Sequence, residues 1–300
     1  MTGLSALIKR NTKLFFKDKG TFFTSLITPM ILLVLYGTFL ANVYKDSFMQ
    51  AIPEGFSVRE ELIDALVGGQ LISSLLSVCC VTVAFCSNMI MVNDKVNGAH
   101  KDLIITPVKS SVMALGYYSS TLIVTLFICF VAAGIGLGYI ANLGWYLSFF
   151  DVAKLFLDSF LIVMFGVALS SVINYFLSTQ GQISAVGSIV SSAYGFICGA
   201  YMPISQFGEG LQRVLSFLPG TYATSLLRNH AMNGVFKEML GDGVSKEVVK
   251  SFRDTVDCNV YFFGNAVGEG TMYAYLSISV AVLICAYVLI NILFSKKKAK

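Results

Sequence analysis

Charged residues are scarce in this sequence. They make up 13% of its 300 residues, whereas 56% of the residues are hydrophobic, and the mean hydropathy is +0.74. This composition excludes an ordinary soluble domain and is typical of a membrane protein. The net charge of +4 comes without a basic stripe interleaved with aromatic residues, so we expect no nucleic-acid partner.

Sequence motifs that carry chemistry are also missing. There is no G-x-x-x-x-G-K-[ST] phosphate loop, Cys-x-x-Cys pair or histidine cluster, and no Ser/His/Asp set. We therefore expect no metal, no cofactor and no catalytic site in this chain. The two histidines, His100 and His230, lie outside the predicted spans, which leaves no obvious ion-coupling residue at mid-membrane.

Apolar runs predict an all-α membrane protein with six transmembrane helices. Residues 1–20 have Leu and Phe at helical spacing opposite Lys and Arg, the pattern of an amphipathic helix lying in the headgroup region. Residues 21–300 form a single domain whose spans are predicted at about 21–44, 63–92, 112–140, 151–176, 181–200 and 271–294. The third span is longer than a bilayer requires, so it must tilt or break, and Gly134, Gly136 and Gly138 could provide the break.

The positions of Lys and Arg predict the orientation in the plasma membrane. The amino-terminal helix, the polar insert between spans two and three, and the tail carry five, three and four of the 21 basic residues, which is twelve in all. Because basic residues accumulate on the cytoplasmic side, we expect both termini and the insert in the cytoplasm. Residues 201–270 then form an extracellular helical segment, with two weakly amphipathic helices at about 205–217 and 221–235.

Residues 93–111 form a charged, turn-bearing insert inside a long apolar tract. Asn93 and Asp94 are predicted to cap a short helix, Gly98 allows a bend, and Pro107 ends the helix. Leu103, Ile104 and Ile105 give this helix one apolar side, which suits docking into a groove of another protein. An ordinary interfacial loop is the alternative.

Small and hydroxyl residues form stripes on two spans. The fifth span has Ser184, Ser188, Ser191, Gly195 and Gly199 at intervals of three or four, and the second has Ser73, Ser77 and Thr82. Such stripes allow close helix packing, or they line a polar path, and in a symmetric dimer both could hold at different depths. Asp158 in the fourth span is expected to pair with Lys154 four residues earlier, or else to meet a cationic substrate.

Three motifs, in order along nearly the whole chain, resemble the type-2 ATP-binding-cassette exporter permeases. The first is the amino-terminal helix leading into Thr28-Pro29-Met30, and the second is the central insert. The third comprises Gly199 and Pro203, then Leu218 to Tyr222 and Leu226 to Arg228. The central insert shares with that family Asp94, Gly98, Leu103, Thr106 and Pro107. The sequence departs from the family in two places. The usual Glu, often followed by Arg, is replaced by Lys101 followed by Asp102, and a charged insert at 237–257 enlarges the outer segment.

The resemblance implies a cytoplasmic coupling helix between spans two and three and a partner that supplies the energy. Two permeases, identical or different, would pair among membrane lipids, and each would dock a separate ABC ATPase subunit that binds ATP and Mg. The residues implied for ATPase coupling are Lys17, Asp18, Asn93, Asp94, Lys95, Gly98, His100, Lys101, Asp102, Thr106 and Pro107. Those implied for an outer gate are Pro203, Pro219, Tyr222 and Arg228.

The expected function is that of the permease subunit of an exporter for an amphipathic drug-like molecule, toxin or antimicrobial peptide. Two alternatives remain open at this stage. One is an exporter of a lipid-linked polysaccharide, and the other is a passive channel or membrane receptor built on residues 201–270.

Overall fold

The computed structural model describes residues 3–50, 52 and 58–298, with side chains up to residue 293. Across this described part the protein is almost entirely helical. The helices are α1 (Gly3–Lys17), α2 (Lys19–Leu35), α3 (Ala41–Gln50), α4 (Glu60–Val96), α5 (Ala99–Ile104), α6 (Ser110–Leu143), α7 (Phe149–Phe176), α8 (Gln180–Ile197), α9 (Glu209–Leu215), α10 (Pro219–Gly241), α11 (Lys246–Thr255) and α12 (Glu269–Lys298). Strands β1 (Val260–Phe262) and β2 (Asn265–Val267) form an antiparallel hairpin before α12.

Five helical segments within the described residues are long and apolar enough to cross a membrane: Lys19–Gln50, Glu60–Val96, Ser110–Leu143, Phe149–Phe176 and Glu269–Leu293. The first joins α2 to α3 through a π-helical turn at Tyr36–Leu40, so the predicted first span continues past residue 44. The predicted fifth span falls on α8, which has 18 residues and is not among the five. A helix of that length rises about 27 Å, close to the thickness of a hydrocarbon core.

Helix α4 is the centre of the fold. Its residues from Ala65 to Asn88 are buried without interruption, because α2, α6, α7, α8 and α10 all pack around it. Two close approaches depend on glycine. A Cβ on Gly166 of α7 would lie 2.9 Å from the carbonyl oxygen of Cys80, and one on Gly69 would lie 2.6 Å from Met232 of α10.

Helix α6 runs unbroken through Gly134, Gly136 and Gly138, so the break proposed there does not occur. A Cβ on Gly136 would come within 3.0 Å of Ile72, so this glycine serves helix packing against α4. A glycine inside a helix costs about 1 kcal/mol relative to alanine, too little to end a 34-residue helix that is packed along its length.

The segment after α8 differs in detail from its prediction. The helix expected at 205–217 is confined to α9, and that expected at 221–235 is the longer α10, which starts at Pro219 as its first residue. Helix α11 and the β-hairpin were not predicted. Helix α11 buries Val248, Val249 and Phe252, and the Phe252 ring meets that of Phe48 in α3 edge to face, with centroids 5.5 Å apart.

Candidate coupling surface and the polar clusters behind it

The connection between α4 and α6, residues 97–109, contains the short helix α5 and exposes most of its side chains. Asn93 and Asp94 do not cap α5 as predicted, because α4 continues through them to Val96. The residue before α5 is Gly98, with φ +81°, a left-handed conformation that glycine adopts without strain. Val96, just before the connection, is exposed. The exposed residues within the connection are Asn97, Lys101, Asp102, Ile104, Ile105, Thr106, Pro107 and Lys109.

An apolar edge stands out on this exposed surface. Ile105 is 84% exposed, the largest value among the large hydrophobic side chains described, and Ile104 is 45% exposed. Lys101 and Asp102 lie beside them in α5 and are exposed as well. A protruding apolar edge with one charge of each sign has the chemistry of a protein-docking surface.

The start of the connection is held to two other helices by Asp94. Arg10 of α1 donates two hydrogen bonds to the Asp94 carboxylate, at 2.7 and 2.9 Å, and the Tyr117 hydroxyl of α6 donates a third at 2.6 Å. These bonds with Asp94 raise the pKa of Arg10 above its ordinary value, so this guanidinium stays charged. Charge-assisted, bidentate bonds of this kind are among the stronger ones in proteins. Asp94 therefore joins α1, α4 and α6 where the connection begins.

Lys95 ties the connection to a fourth helix. Its Nζ donates to the carbonyl oxygens of Tyr175 at 2.6 Å and Leu177 at 3.0 Å, at the end of α7. The last carbonyls of a helix have no partner in the helix and carry partial negative charge, which an ammonium group satisfies. Asp94 and Lys95 thus act inside the chain, while the residues after them face outward.

Of the two coupling residues predicted near the end of α1, Asp18 lies beside the same connection. Asp18 lines a cavity of about 320 Å³ together with Asn93 and Asp94. Asp18 also caps α2, since it accepts hydrogen bonds from the Thr21 hydroxyl at 2.7 Å and the Thr21 backbone N–H at 3.2 Å, which lower the pKa of Asp18. Lys17 is exposed, and His100 is half-buried.

On α8, the predicted stripe splits into an exposed part and a buried part. Ser184 and Ser188 are exposed, and Ser192, which the sequence reasoning did not select, continues their row in place of the half-buried Ser191. Gly195 and Gly199 are buried. A Cβ on Gly195 would clash with the Tyr201 ring, and Gly199 has φ +76°, so both glycines serve the turn that ends α8.

The predicted stripe on α4 lies inside the chain. Ser73, Ser77 and Thr82 are at most 1% exposed. The Ser77 hydroxyl lies 2.5 Å from that of Thr224 in α10, while Ser73 and Thr82 donate to carbonyls of their own helix. Within one chain, these three hydroxyls serve helix packing.

Arg228, a predicted gate residue, is the largest fully buried side chain described. Its Nη2 donates to the Gly199 carbonyl at 2.5 Å, and its Nη1 lies 3.4 Å from Asp257 Oδ2. Asp257 also accepts bonds from the backbone N–H groups of Ile204 and Ser205. A buried guanidinium needs this degree of pairing, and the pairing fixes the turn after α8 against α10 and the segment before β1.

The other predicted gate residues lie around this cluster. Pro203 is buried beside Ile204, and Pro219 opens α10. The Tyr222 hydroxyl donates to the Ser216 carbonyl at 2.5 Å, and its ring meets that of Tyr275 in α12 edge to face. Aromatic and polar contacts therefore hold the start of α10 against the end of α9 and against α12.

Asp158 does not pair with Lys154, contrary to the sequence-based expectation. It is fully buried, with His230 Nδ1 2.5 Å from its Oδ2 and the Tyr273 hydroxyl donating to its Oδ1 at 2.5 Å. Lys154 instead lies 3.5 Å from Glu269. The cluster joins α7, α10 and α12. No local sequence pattern predicts it, because His230 and Tyr273 lie 72 and 115 residues after Asp158.

One family model, described as ABC-2 type transporter, matches residues 2–231. The matched range runs from α1 into the middle of α10 and contains the connection, the α8 stripe and all predicted gate residues. The α11 helix, Asp257 and α12 lie beyond it. No curated protein matches the chain.

Proposed function

The chain belongs to the ABC-2 type transporter family, and on that premise we propose that it is the permease of an exporter whose ATPase subunit docks on the connection between α4 and α6. Membership makes the chain a multi-pass membrane permease of an ABC transporter, a subunit that is generally not catalytic itself. It also implies partnership with an ABC ATPase subunit. Beyond membership, we propose the residues that dock the ATPase, the pairing of two permeases, the direction of transport and the class of cargo.

One observation carries the docking proposal. The connection exposes an apolar edge, and the last turn of α4 just before it is bonded to neighbouring helices. Ile104, the last residue of α5, and Ile105 after it are exposed, whereas Asp94 and Lys95 are bonded to α1, α6 and the end of α7. A push on the exposed residues would therefore reach several helices together. In this proposal the ATPase groove holds the apolar edge, and Lys101 and Asp102 set its register.

Pairing of two permeases is supported by α8. Its exposed face carries Ser184, Ser188 and Ser192 with Ala185 and Ile189, a mixture of hydroxyl and apolar groups. In the proposal α8 is the sixth crossing, both termini are cytoplasmic, and two α8 helices face each other across the path. A path of this chemistry suits an amphipathic drug-like molecule, toxin or peptide.

The docking proposal is tested by Ile105→Asp in the permease co-expressed with its ATPase subunit. A carboxylate placed in an apolar contact would lose its hydration without a partner, which is costly. We expect at least about a tenfold loss of co-purified ATPase, which corresponds to about 1.4 kcal/mol. Asp102→Ala should lower the ATPase activity of the complex while leaving the permease in the membrane.

Leu240→Asp is the matched control, since Leu240 is also an exposed apolar residue but lies at the end of α10. It should leave the co-purified ATPase unchanged. Equal recovery of ATPase with Ile105→Asp and wild type would refute docking on this edge. Uptake of a fluorescent amphipathic dye by inside-out vesicles tests the direction: ATP-driven uptake supports export, and ATP-independent passage favours a channel.

A further inference from the structure

A groove between α6 and α12 lies beside the proposed docking surface, with which it shares Lys109, and takes no part in the proposed pairing. The two helices meet where the Tyr118 and Tyr287 rings stack, 6.2 Å apart, and where the Tyr287 hydroxyl donates to the Ala114 carbonyl at 3.2 Å. From there toward the start of α6 they enclose a cavity of about 500 Å³. That volume is in the usual range of ligand pockets, which is about 300–1,000 Å³.

The walls of the groove are apolar and reach the outer surface of the helices. Leu115 lines it from α6, and Val288 and Ile292 line it from α12, each about half exposed. In a membrane such side chains face lipid tails. A hydrocarbon chain can therefore enter the groove sideways without crossing polar surface.

One end of the groove is polar and positive. Lys109, Ser110 and Ser111 line it there, at the first turn of α6, where no side chain caps the helix. A second cavity of about 410 Å³ shares Ser110 and Tyr287 with the first and adds His100 to the lining. Lys95 also lines the second cavity, and its ammonium group donates hydrogen bonds to the carbonyls at the end of α7. Among the described residues that line the two cavities there is no carboxylate.

We propose that this groove is a binding site for an anionic glycerophospholipid. The headgroup phosphate lies beside Lys109 and the Ser110 and Ser111 hydroxyls, and one acyl chain lies between Leu115, Val288 and Ile292. Attraction of an anionic headgroup to a lysine near the membrane surface is worth about 1 kcal/mol, which corresponds to about a fivefold preference over a zwitterionic lipid. The apolar wall offers contacts to an acyl chain and none to a small free anion, so an intact lipid fits the whole groove better than a free anion does.

Native mass spectrometry of the purified full-length permease tests the site without any ATPase. The detergent-solubilised protein is incubated with an equimolar mixture of dioleoyl phosphatidylglycerol and dioleoyl phosphatidylcholine, and the retained lipids are counted. We expect enrichment of phosphatidylglycerol and a loss of about fivefold in that enrichment with Lys109→Ala. Lys109→Arg should retain it. Ala114→Phe, which fills the groove, should lower retention of the lipid itself.

Two matched variants separate the groove from general surface effects. Lys13→Ala removes another exposed lysine, on α1, and Ile135→Phe enlarges an exposed side chain of α6 outside the groove. Neither should change the retained lipid. Equal retention of the two lipids by wild type, or no effect of Lys109→Ala or Ala114→Phe, would overturn the proposal. So would displacement of the lipid by inorganic phosphate, which would indicate a free-anion site.

Discussion

Asp18 shows how one side chain can fit two roles. The resemblance implies contact with the ATPase, and the structure shows a cap on α2 with two bonds from Thr21. Because those bonds lower the pKa of Asp18, the stability gained from the cap is present above the ordinary Asp range of about 3.9. It is lost as the pH falls through the lowered pKa of the folded state.

Two substitutions of Asp18 separate these roles. Asp18→Ala removes the cap and should cost about 1 kcal/mol of stability, measured as a lower thermal unfolding temperature in detergent at pH 7. Asp18→Asn keeps a capping oxygen and loses the charge, so the unfolding temperature should stay near that of wild type. If Asp18→Asn still lowers the ATPase activity of the complex, the charge has a coupling role. Wild-type activity would restrict Asp18 to the cap.

Sequence reasoning fails most clearly at buried polar residues. Asp158 has a lysine one helical turn away, and local spacing favours that pair. The fold instead surrounds Asp158 with His230 and Tyr273, while Asp257 reaches Arg228 across 29 positions. Burial decides these pairings because an unpaired charge inside the bundle is costly. Burial in turn depends on tertiary packing, which the spacing of residues along the sequence does not specify.

At the scale of helices, the apolar runs predicted most elements correctly. The predicted spans fall on α2 with α3, α4, α6, α7, α8 and α12, and the observed ends differ by a few residues. The extensions have local causes, such as the capping box of Ser148 and Asp151 at the start of α7. Helix α11 and the hairpin escaped prediction because they are short and lie within a mixed polar segment.

Close packing of α4 and α7 predicts a contrast between two glycine substitutions. Gly166→Ala places a methyl group 2.9 Å from the Cys80 carbonyl oxygen and 3.1 Å from the Val81 Cα, so the helices must separate. We expect a loss of about 1–3 kcal/mol, visible as a lower unfolding temperature and less folded protein in detergent.

Gly134→Ala is the control for that substitution. Nothing lies within 4 Å of a Cβ at Gly134, which is also inside a helix. Relief of the glycine penalty should leave stability unchanged or raise it by up to about 1 kcal/mol. An equal loss in both variants would mean that α4 and α7 are not in the close contact described.

At the scale of the whole molecule, the proposed pairing places α8 against a second copy of the chain. It packs on α4 and leaves Ser184, Ser188 and Ser192 uncovered. Small and hydroxyl side chains let two helices approach closely, so this face suits packing against the same helix of a second permease.

Cysteine crosslinking tests this pairing. In a Cys285→Ser background, which removes the exposed cysteine among the described residues, Ser188→Cys should give a disulfide-linked dimer in membranes under mild oxidation. Ile278→Cys is the matched control, because Ile278 is exposed on α12, which is not part of the proposed pairing face. Equal crosslinking at both positions would indicate random collision, and none at Ser188→Cys would place the pairing face elsewhere.

The sequence by itself determined the membrane class, the positions of the long helices, the polar connection near Asp94 and Gly98, and the family. These follow from local properties, since hydropathy and short motifs are read along the chain. Only the tertiary structure decided that Asp94 and Lys95 face inward while Ile105 faces outward, that Ser77 is buried while Ser188 is exposed, and that Asp158 meets His230. Each depends on which helix faces lie against one another, a property that arises from packing between distant parts of the chain.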